Sequence, residues 1–228
     1  MMTLGLIPDA PIATEPQRVT PIRETTASPA VFRRISLHDE QIQGLVQQLF
    51  FQQETAPVRR VGFAALEAQT EIAQLCLEVA LVLAETGSHD VGLIDARLQS
   101  ASLQTELQIP CCNRPDDAWL IAPRLWLVPR RSWLDNSPQR IWDSSLARLN
   151  TTIVEFDFSI LCLDPVSWLT AKLSQTCNGV VIVLTANKTR RLVAAQMQEQ
   201  LRRARVPLLG TVLAERRFPV PSSLYRNL

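Results

Sequence analysis

Residues 61–80 read VGFAALEAQTEIAQLCLEVA, and residues 91–98 read VGLIDARL. The first five residues are an apolar strand. After a turn, Ile72, Leu75, Cys76, Val79 and Leu83 recur at helical spacing and place one apolar stripe on a long helix, which Gly87 stops. The second stretch is another apolar strand and carries Asp95 near its end. Strand, turn, helix and strand make a βαβ unit, and the fold follows from it. Where such a unit binds a nucleotide, the turn after the first strand is rich in glycine and carries a lysine. Backbone N–H groups must approach the phosphates closely, and the β- and γ-phosphates need a cation. Here that turn reads LEAQTEIAQ (66–74), with neither glycine nor lysine.

The alternation continues outward from this unit. RLWLVP (124–129) reads as a strand, and Ser137-Pro138 as a helix cap with proline at the first helical position. QRIWDSSLARLN (139–150) then aligns Trp142, Leu146 and Leu149. FSILCLD (158–164) and GVVIVLTA (179–186) are near-continuous apolar runs, the pattern of strands buried on both faces. TRRLVAAQMQEQLRRAR (189–205) is a helix with Val193, Met197, Leu201 and Ala204 on one side, and PLLGTVLA (207–214) is a last strand. The expected fold is α/β, a doubly wound and mostly parallel sheet of six or more strands. Upstream, SLHDEQIQGLVQQLFF places Ile42, Leu45, Val46, Leu49 and Phe50 on one stripe, a helix at about 37–52 opened by Ser36. Residues 1–34 carry Pro8, Pro11, Pro16, Pro21 and Pro29 without periodicity and read as a flexible tail. Residues 35–228 read as one domain.

The chain has 228 residues, 46% of them hydrophobic, enough for one substantial core. Formal net charge is +1, so bulk charge gives no reason to expect nucleic acid, and none is expected as a partner. The five cysteines form no CxxC and accompany only two histidines, so no metal site is expected. Cys76 and Cys162 read as small buried hydrophobes. The start MMTLGLIPDAP lacks the basic and apolar regions of a signal peptide, and no apolar run approaches the ~20 residues that span a bilayer.

The succession VGLIDARLQSASL, EFDFSILCLDPV, NGVVIVLTANKTRR and LLGTVLAERRFPVPSSLYRNL resembles the bacterial tyrosine autokinases of capsular and exopolysaccharide synthesis. These form a MinD/ParA-like branch of the P-loop ATPases. The resemblance covers about residues 36–228 and implies the P-loop NTPase type of sheet. Laid on the family's SAxPGEGKST loop, residues 65–74 place Gln69 and Glu71 at the glycines, Ile72 at the lysine, and Ala73 and Gln74 at the hydroxyl residues. Glu71 would set a negative charge beside a polyphosphate, a repulsion of roughly 4 kcal/mol for unit charges ~4 Å apart in an intermediate dielectric. Without glycines, residues 65–71 are expected to form an ordinary turn or to lengthen the following helix. Family LIDAD becomes LIDAR, which keeps Asp95 and puts Arg97 at the second acid. Family IIDTPP becomes LCLDPV, which puts Cys162 at the acid and brings Asp164 two residues late. Ala214 stands where a base-contacting asparagine does.

The resemblance with its motifs removed implies a pseudoenzyme. The expected function is a non-catalytic regulatory or interaction subunit of exopolysaccharide or capsule synthesis and export. Catalytic and metal residues are none, and Asp95 and Asp164 are the vestigial cofactor-binding candidates. No cofactor is expected. ATP with magnesium belongs to the alternatives, an active ATP-dependent tyrosine autokinase, for which the single Tyr225 would be the acceptor, or a MinD/ParA-like positioning ATPase. The implied partner is the cytoplasmic part of a membrane chain-length regulator (a polysaccharide co-polymerase), with a homo- or hetero-oligomer of the same fold as a further expectation. The implied location is the cytoplasm, peripheral to the inner membrane through that partner. Helix 37–52 is the candidate contact surface, and the arginine pairs and triplet at 190–191, 202–205 and 216–217 are candidates for an acidic partner.

Overall fold

A computed structural model describes residues 39–52, 57–66, 71–109, 118–134, 141–165, 167–186 and 189–214. The tail 1–34, the Ser137-Pro138 cap, Arg216, Arg217 and Tyr225 lie outside the described residues. In chain order the elements are α1 (Asp39–Val46), β1 (Arg60–Ala65), α2 (Ile72–Thr86), β2 (Val91–Ala96), α3 (Leu103–Glu106), β3 (Trp119–Ala122) and β4 (Leu125–Val128). They continue with α4 (Arg130–Trp133), α5 (Ile141–Val154), β5 (Phe158–Leu163), α6 (Trp168–Ser174), β6 (Gly179–Thr185), α7 (Arg191–Arg203) and β7 (Leu208–Ala214). A π-helical turn over Gln47–Phe51 continues α1.

The seven strands form one sheet in the order β3-β4-β2-β5-β1-β6-β7. All pairs are parallel except β3–β4. This is the doubly wound α/β sheet expected from the alternation. The hairpin strand β3 is an addition to the sequence reading. Its four residues turn back through Pro123 and Arg124, and Arg124 takes a left-handed φ of 61°. So short a strand carries too little alternation to stand out beside β4.

Strand alternation sends side chains into two cores. Phe63, Leu93, Ile160 and Val181 face one, where α1 and α2 pack; Ala64, Ile94, Leu161 and Ile182 face the other, where α5 and α7 supply Leu149, Ile153, Met197 and Leu201. Burial on both faces explains why β2, β5 and β6 read as unbroken apolar runs. The stripe of α1 points inward: Ile42, Val46, Leu49 and Phe50 are buried, and the Phe50 ring meets Phe158 edge to face at 5.5 Å. The apolar stripe of the helix named as a candidate contact surface is therefore core packing against α2. Among the described residues no helix is long and apolar enough to cross a membrane.

Candidate functional site

Open α/β sheets bind ligands beyond the carboxyl ends of their strands. Here those ends bring together the turn after β1, Asp95 on β2 with Arg97 just after it, and Cys162 on β5 with Asp164 just after it. Register fixes the relation, since Asp95 lies opposite Cys162 and Phe63 opposite Cys162 on the other side. Asp164, two residues further on, projects past the sheet.

At the turn after β1, α2 begins at Ile72, and Glu71 still has non-helical angles (φ −71°, ψ 53°). The helix is not lengthened N-terminally, contrary to one of the two expectations, and residues 67–70, Gln69 among them, lie outside the described residues. Ile72, at the lysine position, is buried, as is Ala73 behind it. Gln74, at the second hydroxyl position, donates to Glu78 one turn on at 3.3 Å. A side chain that family members would aim at phosphate instead packs into the core.

Asp95 is 2% exposed. Its Oδ2 accepts the Leu103 N–H at 2.9 Å and its Oδ1 the Arg97 N–H at 3.3 Å. The Arg97 Nε lies 3.5 Å from Oδ1, and the Trp133 indole N–H donates to the Asp95 carbonyl at 3.1 Å. Burial raises the Asp95 carboxyl above its ordinary pKa, against the Leu103 hydrogen bond and the charge of Arg97. Arg97 is 3% exposed and ion-paired with Glu106 through Nη1. A guanidinium does not deprotonate in a protein, so a permanent positive charge stands beside Asp95 where family members carry a second acid. A divalent cation on Asp95 would have to meet that charge at close range.

Asp164 is equally occupied. One carboxylate oxygen accepts the N–H groups of Leu98 and of Gln99, the latter at 2.8 Å. The other accepts the Ser100 N–H at 3.2 Å and the Ser100 hydroxyl at 2.7 Å. Three successive backbone N–H groups turned to one anion form a nest of the kind that binds phosphate. In this chain the anion is the Asp164 side chain, just beyond β5. Cys162 is fully buried, and burial, with the Cys76 thiol against it, pushes its pKa far up, so it stays a neutral thiol. Among the described residues no three His, Cys, Asp or Glu side chains gather as a metal site.

Sequence reasoning named Asp95, Arg97, Cys162 and Asp164 but not their partners. Glu106, Trp133 and Arg130, whose Nη1 donates to the Arg97 carbonyl at 2.8 Å, come from elements 9 to 38 residues away. No local spacing announces such contacts. The arginines of α7 are resolved more simply: Glu199 on the same helix accepts from Arg202 at 2.7 and 2.8 Å and from Arg203 at 2.9 Å. These two side chains form a solvated helix face and not a free basic patch.

No family model matches the chain, and no curated protein matches it. Solved structures do. The chimerical protein CapA2B2 superposes with a TM-score of 0.65 at 15% identity, over 76% of this chain and 83% of that one. The VpsO kinase domain gives 0.64 at 15% identity, over 79% and 97%, and the kinase domain of the Escherichia coli tyrosine kinase ETK gives 0.60 at 14%, over 80% and 79%. A ParA-family ATPase from Chlorobium tepidum gives 0.52 at 15%, over 68% and 73%. At these identities the likeness is one of fold, and the chain has the MinD/ParA-like fold shared by bacterial tyrosine kinase domains and ParA-family ATPases.

Proposed function

We propose that this chain is a non-catalytic regulatory or interaction subunit of exopolysaccharide or capsule synthesis and export. It carries the fold of the tyrosine kinase domains without their phosphate chemistry. The observation that carries this reading is the way described functional positions are closed: Ile72 is buried at the lysine, and Arg97 occupies the second acid's place. Asp164 fills the N–H nest of residues 98–100. Its partner, on this reading, is the cytoplasmic part of a membrane chain-length regulator, which holds it at the inner membrane from the cytoplasmic side.

An interaction role also needs a surface, and α1 does not supply an apolar one. Trp168, at the start of α6, is 70% exposed and meets Trp142 of α5 edge to face at 6.0 Å. Trp142 is half-buried, and an exposed tryptophan set against it is costly to leave in water and is the residue type that anchors interfaces. We place the contact there. The test is co-purification of the full chain with the cytoplasmic part of such a regulator, in parallel with a magnesium-ATP titration. Capture that is lost in Trp168→Ala, without ATP binding, supports the reading. Saturable ATP binding and phosphate on Tyr225 would instead make the chain an autokinase.

A further inference from the structure

We infer that the cavity beyond the carboxyl ends of β2 and β4 is a binding site for a small organic phosphate, with Arg130 and Arg131 on the anion and Ser102, Gln104 and Thr105 on its hydroxyl groups. The cavity is about 400 Å³, within the range of small-ligand sites. It adjoins the old nucleotide cleft at Asp95. That cleft lies over β1, and β5 separates β1 from β2 in the sheet.

Its walls are chemically sorted. Leu103 and Leu127, both buried, give an apolar floor with Pro129. Three charged side chains line it: Arg130, Arg131 and Asp95. The carboxylate is already committed to the N–H groups of Arg97 and Leu103 and to the Arg97 guanidinium, so the charge left for a ligand is positive. Arg130 is held in place by the bond from its Nη1 to the Arg97 carbonyl, which preorganises the guanidinium. The Ser102 and Thr105 hydroxyls, hydrogen-bonded to each other at 2.8 Å, line the cavity too, together with Gln104. Guanidinium forks suit phosphate oxygens, while adjacent hydroxyls and an amide suit a polyhydroxy body. This inference is independent of the partner named above.

The test uses the full chain with four probes at about 10 mM: inorganic phosphate, glucose 1-phosphate, glucuronate and glucose. Calorimetry reads affinity, and amide shifts in a nitrogen-15 spectrum read location. The expected result is glucose 1-phosphate binding with Kd of about 1 mM or tighter, phosphate binding more weakly, and glucose not binding. Shifts should fall on residues 101–105 and 130–131. Arg131→Ala, an exposed position, should keep its melting temperature and lose about tenfold in affinity. Failure of both phosphates to bind, shifts elsewhere, or unchanged affinity in Arg131→Ala would overturn the assignment. Glucuronate binding tighter than glucose 1-phosphate would overturn the phosphate class. Inorganic phosphate binding as tightly as glucose 1-phosphate would overturn the role of the hydroxyl wall.

Discussion

Removing the Asp164 side chain should be among the more damaging single changes near the old cleft, because the residue holds a loop and not a ligand. In Asp164→Ala, the N–H groups of Leu98, Gln99 and Ser100 and the Ser100 hydroxyl lose their common acceptor together. Gln99 is exposed and can turn its N–H to water, but Leu98 and Ser100 are half-buried. Hydrogen bonds to a charged group contribute about 1.5–3 kcal/mol each, and an unsatisfied donor costs about 1–3 kcal/mol. With two donors left stranded, the expected loss is about 3–4 kcal/mol. For a domain of this size that lowers Tm by roughly 6–16 °C. Asp164→Asn keeps one acceptor oxygen but turns an amide N–H₂ toward donors, and should cost about 2 kcal/mol. Urea titrations of the three proteins measure the differences, and hydrogen exchange localises them, with amides 98–100 losing protection first. A change below 1 kcal/mol for Asp164→Ala, with amide protection unaltered, would refute the clamp and return Asp164 to the list of ligand candidates.

Arg97→Met should cost about 3–5 kcal/mol in the same titration, because it strips the buried Asp95 of its charge partner. It should also steepen the loss of stability with rising pH, because a carboxyl raised above its unfolded pKa favours the fold below that value and loses this contribution as pH climbs through the folded one. Restoring the loop with Gln69→Gly, Glu71→Gly, Ile72→Lys and Ala73→Ser should lower Tm, since Ile72 and Ala73 are buried, and calorimetry should show no tight ATP binding while Arg97, Cys162 and Ala214 remain. Cys76 and Cys162 are fully buried and burial pushes the Cys177 thiol up to about 12, so iodoacetamide at pH 8 should label all three only after denaturation, as peptide mass spectrometry would read.

The sheet was legible because its strands are buried on both faces. FSILCLD and GVVIVLTA admit few other readings, and the helical stripe of α2 fixes the order around them. The hairpin strand β3 was not, since four residues next to a turn give neither period nor length. Losses at the site were equally plain, because a missing lysine or glycine is a matter of residue identity. What replaced them was not. Asp95 and Asp164 stood out only as vestigial acids of the family pattern, which says nothing of what holds them. The partners of Asp164 lie 64 to 66 residues away, contacts created by the pairing of β5 with β2, while the Leu103 amide on Asp95 comes from the start of α3, 8 residues on. The α1 stripe marks the opposite case: apolar spacing identified the helix, but which surface the stripe covers depends on where α2 lies.

The central claim is that this fold has kept its framework and given up its nucleotide. Isothermal titration of the unmodified full chain with magnesium-ATP and with ADP tests it most directly. The account predicts no saturable heat up to millimolar nucleotide and an unchanged Tm, where a genuine site at a hundred times its Kd would add about 2.7 kcal/mol of stability. A stoichiometric isotherm for ATP, with phosphate appearing on Tyr225, would contradict it.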